Sequence, residues 1–149
     1  MAVAFKRFRV SKGLYEAKVC VLRSIKDLPN SFRKEHVKIY LGGKECKVLR
    51  TFRVLYKDRD FTDIDIYTLA LQKNFDLSLD LIVYYKATKR VVRKEVYAIR
   101  VVAYNDVIEV QVCKKEGIGL INESEILGKF FSLLKLCVLM KNISIDLPI

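Results

Sequence analysis

Residues 60–90, DFTDIDIYTLALQKNFDLSLDLIVYYKATKR, decide how the rest of the chain is read. Two apolar runs, 64–71 and 77–85, have the length of strands, and their nearly continuous apolar character calls for cover on both faces. Two adjacent strands here would bring Asp63, Asp65 and Lys86 to one edge of a sheet. Carboxylates beside a lysine suit metal-assisted phosphodiester chemistry: Mg²⁺ takes oxygen ligands, and lysine offsets charge developing on phosphate. Lys86 also opens a cationic run with Lys89, Arg90, Arg93 and Lys94, which suits phosphate contact by itself.

Upstream, Gly42-Gly43 separates two β-rich runs, 36–41 and 47–56, and supplies the positive φ angles of a tight hairpin. Residues 1–10 read as a basic arm or a short edge strand, with Lys6, Arg7 and Arg9 able to lie on phosphate. From Ser11, a plausible N-cap, apolar residues recur at helical steps through Leu14, Ala17, Val21, Ile25 and Leu28, with Pro29-Asn30 as the stop. The β-rich run 18–22 keeps a strand open as the rival.

Downstream, 95–104 carries apolar residues at helical spacing, with strand as the competitor because Val and Ile dominate. Residues 107–113 alternate as a strand, and 117–121 read as a short buried run. Asn122 then caps a helix reaching about Lys141, with Glu123 and Glu125 where the dipole favours anions. That helix is apolar almost all round, which places it in the core, the preferred reading, or in a homodimer interface through 123–141. Residues 142–149 read as a tail, with Leu147-Pro148-Ile149 at its end a tail or a short edge strand. The expectation is one α/β domain spanning 1–149, a central mixed β-sheet flanked by helices.

Composition sets the bounds. With 149 residues, 52% of them hydrophobic, and only six Gly and two Pro, the chain has the material for a core and no long disordered tract. The 28 Lys and Arg against 17 Asp and Glu leave a net charge of +11, which an anionic partner, nucleic acid above all, would relieve. The cysteines Cys20, Cys46, Cys113 and Cys137 form no CxxC pair and His36 stands alone, so the usual zinc spacings are missing. Reduced thiols in a cytoplasmic protein are the preferred reading, and a disulfide of the kind found in hot-living archaea stays open. Abundant Lys, Val and Ile with no Trp lean the same way, towards a thermophile. The apolar run 130–140 is interrupted by Lys135 and too short for a bilayer, so no membrane partner is expected.

These motifs carry a resemblance. TDIDIYTLAL followed by LDLIVYYKATKR resembles the core of the PD-(D/E)xK nuclease superfamily, the restriction-endonuclease-like fold that includes Mrr-type enzymes and Holliday-junction resolvases. The resemblance spans about residues 11–135. It implies that Asp65, with Asp63 and Glu16, holds Mg²⁺ or Mn²⁺, and that Asp65, Lys86 and Glu16 form the catalytic set. Gly117–Asn122 with Glu125–Leu127 is similar to that family's later strand and closing helix. Tyr84 stands where (D/E)-x-K has its acid, and a phenol with a pKa of about 10 is a poor Mg²⁺ ligand. The expectation is therefore a nucleic-acid-binding protein, DNA first, with an incomplete metal site; an active nuclease with a relocated acid and a dimerising adaptor are the alternatives.

Overall fold

Alternation with a period of two runs through the long strands and places every second side chain against a layer of helices. In the computed structural model, which describes residues 3–32 and 34–146, the chain begins with β1 (Val3–Lys12), α1 (Leu14–Lys26) and the single turn α2 (Leu28–Ser31). The strands β2 (His36–Leu41), β3 (Lys44–Tyr56) and β4 (Arg59–Asp60) lead to α3 (Asp63–Ala70). A meander of β5 (Phe75–Ala87), β6 (Arg90–Tyr104) and β7 (Val107–Glu116) precedes α4 (Glu123–Leu139) and β8 (Ser144–Asp146). The last three residues of the expected tail lie outside the described residues.

The eight strands form one sheet in the order β2-β3-β5-β6-β7-β1-β8, with β4 paired to β3. Every pairing among the described residues is antiparallel, so the expected mixed sheet is corrected. The reason is the connections: β2–β3, β5–β6 and β6–β7 are joined by tight turns, which only antiparallel neighbours allow. Gly42 and Gly43 both take positive φ, as their hairpin requires. Residues 95–104 belong to β6, because its odd-numbered residues Tyr97, Ile99, Val101 and Ala103 are buried together, a strand period that wins over the helical one.

One sheet face makes the core. Leu77, Leu79, Leu81, Val83 and Tyr85 of β5 point the same way as the β6 set, joined by Ile108, Val110 and Val112 of β7 and Phe8 and Val10 of β1. Against them lie α1 and α4, which pack on each other, while α3 leans on α1 and α2 on β3. Each fully buried aliphatic side chain contributes on the order of 1.5–3 kcal/mol. In α4 the buried stripe Ile126, Leu127, Phe130 and Leu134 faces this core, yet Leu136, Leu139 and Met140 are exposed, so the helix is amphipathic rather than enclosed.

Three local expectations change. The described part of the expected arm, residues 3–10, is not free: β1 is laddered to β7 from Val3 to Arg9, with β8 on the other side of Arg9–Lys12, and residues 1–2 lie outside the described residues. Ser11 lies in β1, and the α1 N-cap is Gly13 at φ +76°, where an added Cβ would sit 2.9 Å from the Asn142 carbonyl. Run 117–121 is irregular, with Ile118 and Leu120 exposed and only Ile121 buried.

The cysteine expectation is corrected too. Cys20 of α1 and Cys137 of α4 form a disulfide across 117 positions, with Cα atoms 5.7 Å apart. Helix packing brings them together, so no local spacing could announce the pair. A loop of that length restricts the unfolded chain by an amount worth roughly 5 kcal/mol in the chain-entropy description. Thiol titration of denatured protein should therefore find two reactive thiols without reductant and four with it. Four in both cases would show that the bridge does not form.

Candidate nucleic-acid interface

The segment expected as the first strand of a metal site is helix α3, and a capping box explains why. Thr62 accepts a hydrogen bond from the Asp65 backbone N–H (3.3 Å), and the Asp65 carboxylate accepts from the Thr62 N–H (2.9 Å). Thr-x-x-Asp thus starts a helix whose buried stripe is Ile66, Leu69 and Ala70, while Ile64, at 77% exposure, faces solvent. Both carboxylates sit in the first turn, where the helix dipole favours negative charge.

These carboxylates are already engaged. Asp65 accepts two hydrogen bonds of 2.7 Å from the Arg59 guanidinium and another from the Thr62 hydroxyl. Arg59 first, then Thr62, holds the Asp65 carboxyl well below the usual carboxylate range. Asp63 accepts from Lys26 at 2.9 Å and from Arg23 at 3.3 Å, and the Lys26 ammonium leads in lowering its pKa. The pair therefore fastens α3 to β4 on one side and to α1 on the other. Lys18 adds to this by donating to the carbonyls of Gln72 and Lys73 just beyond α3.

Lys86 and Glu16 are elsewhere. Lys86 stands opposite Leu49 of β3, whereas Asp60, which leads into α3, stands opposite Leu55. Six positions along β3 amount to about 20 Å. Glu16 occupies the first turn of α1 in a shallow hollow with Lys12, Gly13, Lys141 and Asn142, while Asp63 meets α1 at Arg23 and Lys26, roughly 10–15 Å further along that helix. Among the described residues no group of three or more His, Cys, Asp or Glu is placed to hold an ion. Of the residues assigned to Mg²⁺ or Mn²⁺, Asp63 and Asp65 share one helical turn while Glu16 lies apart, and the oxygens of Asp65 are taken up by Arg59 and the cap.

The cations divide into two groups. Arg7 pairs with Glu109 at 3.0 Å and Arg9 with Asp106 at 3.5 Å, while Lys6 lines a groove between β1 and α4. On the sheet face without helices, Arg100 and Lys115 are likewise neutralised by Asp76 and Asp80. Lys86, Lys89, Arg90, Arg93 and Lys94, around the β5–β6 turn, join none of the ion pairs found among the described residues. Lys86 and Lys94 lie on the open face together with the exposed Lys47 of β3, whereas Arg93 turns towards the helix side beside Ile118 and Leu120. Between these cations sits Tyr84, with the Lys86 ammonium 5.9 Å from its ring centroid. Arg53 stands two positions along β3 from Thr51, the cross-strand partner of Tyr84.

One buried group went unnoticed in the sequence. Glu95 is fully buried, and its carboxyl oxygens accept hydrogen bonds from Tyr85 (2.7 Å), from the Gly119 N–H (2.5 Å) and from the Leu120 N–H (3.2 Å). Beside it Tyr97 donates to the Ile121 carbonyl at 2.7 Å. Burial, then the neighbouring Glu95, pushes the Tyr85 phenol up, and burial pushes Tyr97 up to about 12, so both remain donors at neutral pH. Gly117, at φ +96°, lies so close that a Cβ would fall 2.8 Å from Glu95 Cγ. The loop after β7 is thus tied to the start of β6, directly behind Arg93 and Lys94. The signal was parity: Glu95 shares the inward phase of Tyr97, Ile99 and Val101.

No protein family, curated protein or solved structure matches the chain.

Three outcomes follow from this geometry. Thr62→Ala should lower the unfolding free energy by about 1 kcal/mol through loss of the cap, as read by urea denaturation at pH 7. Because the pKa of Asp65 is depressed on folding, its contribution is present above the unfolded value of about 4 and is lost as pH falls towards the folded value. Asp65→Asn should therefore be less stable at pH 7 and show a shallower loss of stability below pH ~4 than the parent. Glu95→Ala, which leaves buried N–H and O–H groups without an acceptor, should cost about 3 kcal/mol or more and speed amide exchange at Gly119 and Leu120.

Proposed function

We propose that the protein binds nucleic acid on the open sheet face around the β5–β6 turn. The observation that carries this is the uneven neutralisation of charge. Across the rest of the open face arginine and lysine meet a carboxylate, but Lys47, Lys86, Lys89, Arg90 and Lys94 do not. Concentrated cations of one sign cost self-repulsion, and a polyanion relieves it while releasing counterions. Tyr84 among them adds an aromatic surface to the same patch. Cleavage has no support from the placement of Asp63, Asp65, Glu16 and Lys86, so the proposal is binding without phosphodiester chemistry.

A second reading, self-association, is favoured by one observation. Leu136, Leu139 and Met140 form an exposed apolar patch near the end of α4, with Leu139 and Met140 at 81% and 86% exposure. Light scattering across a concentration series reads it directly, with a constant monomer mass as the contrary result.

The binding proposal predicts a steep salt dependence. With about five phosphates contacted, log K should fall with log salt at a slope of roughly −3.5 on a single strand and −4.5 on a duplex. Lys86→Glu combined with Lys94→Glu should weaken binding at least tenfold, whereas Lys141→Glu, beside Glu16, should change it little. Fluorescence anisotropy with labelled oligonucleotides gives both readings. Salt-independent affinity, or equal loss in both variants, would reject the proposed face.

A further inference from the structure

We infer that this face takes single-stranded nucleic acid, with a base stacked on Tyr84; the inference rests on the nucleic-acid reading above and specifies its substrate.

The shape of the face is the first reason. Ile39 and Leu41 of β2 line the same hollow as Ile118 and Leu120, which follow β7, although β3, β5 and β6 separate β2 from β7 in the sheet. The sheet therefore curls round its helix side, and the opposite face is convex. A convex face meets a rigid duplex along a narrow strip only, whereas a flexible single strand follows it.

The second reason is what the patch presents. Tyr84 has Thr51 and Lys94 as cross-strand neighbours, Lys86 two positions along its own strand and Arg53 diagonally across β3. Its ring lies between the ammonium groups of Lys86 and Lys94, with the Arg53 guanidinium beyond them paired to Asp60 at 2.9 Å, so a base can stack on it while the adjoining phosphates meet the two ammonium groups. Lys86, now over the ring, is the group that would move to a phosphate. Stacking is indifferent to sequence because every base offers a π face, and it needs bases that are not already stacked in a duplex.

The third reason is the lack of a free cationic element shaped for a groove among the described residues. Arg23 and Lys26 of α1 are spent on Asp63. Helix α4 carries two lysines, Lys129 and Lys135, balanced by Glu123 and Glu125 in its first turn, and is apolar near its end. The β5–β6 turn does not stand clear as a two-stranded ribbon, because β3 continues past Leu49, the partner of Lys86, to Lys44. The β2–β3 hairpin bends to the helix side, where Ile39 is buried.

The test is anisotropy at one fixed salt concentration with a labelled mixed-sequence 20-mer as a single strand and as its duplex (about 20 nucleotides exceeds the patch). The single strand should bind at least tenfold tighter. Tyr84→Ala should weaken single-strand binding about tenfold and leave duplex binding nearly unchanged, while Tyr84→Phe, which keeps the ring, should stay within about twofold of the parent. Duplex binding equal or tighter, still lost in the Lys86→Glu/Lys94→Glu variant, would overturn this inference and leave the nucleic-acid reading standing. Undiminished single-strand binding by folded Tyr84→Ala would also overturn it. Binding to neither form would overturn both. The strand-against-duplex comparison uses the unaltered protein, so it decides even where a variant fails to fold.

Discussion

Burying one face of an antiparallel sheet beneath helices is the constraint on which the other features depend. Phe8, Leu81, Tyr97, Ile99 and Val110 point to the helices because successive residues alternate, and the same alternation turns Arg53, Tyr84, Lys86 and Lys94 outwards. A shift by one residue in any long strand would exchange the two sets, so the register that builds the core also decides which side chains the open face presents. The core fixes which cations are available, and the tight turns fix which strands they occupy.

Two polar devices hold the ends of this arrangement. At one end Arg59, Thr62 and Asp65 start α3 and tie it to β4. At the other, Glu95 gathers the loop of Gly119 and Leu120 onto β6, next in the chain to Lys94. On the same open face several cations are paired off across neighbouring strands, as in Arg100 with Asp76 and Arg7 with Glu109. The unpaired cations near the β5–β6 turn are thus a local excess in a chain whose net charge is +11. No described helix is long and apolar enough to cross a membrane.

Much of the fold was legible where local chemistry decides. The Gly42-Gly43 hairpin, the helical spacing from Leu14 to Ile25 and the Asn122 cap each appear as expected. Residues 64–71 were misread because a short apolar run suits either element; the Thr62-x-x-Asp65 capping box, visible in the sequence, was the better guide. The helix moves Asp65 from the expected sheet edge to a helix start, apart from Lys86 and Glu16. The Cys20–Cys137 bridge and the Glu95 cluster depend on contacts between distant segments, which no local pattern encodes. The cationic run from Lys86 to Lys94 was visible from the outset, but its partition between two faces needed the register: Arg93 on the helix side, Lys86 and Lys94 on the other.

The central claim is that the open face around Tyr84 is where nucleic acid sits, and backbone amide shifts recorded by NMR during titration with an oligonucleotide test it most directly. Salt-sensitive perturbations should map to Lys47, Thr51, Arg53, Tyr84, Lys86 and Lys94, and spare the groove formed by Ala4, Leu127 and Phe131. Perturbations concentrated in that groove or at Leu136–Met140, or none at all, would contradict the account.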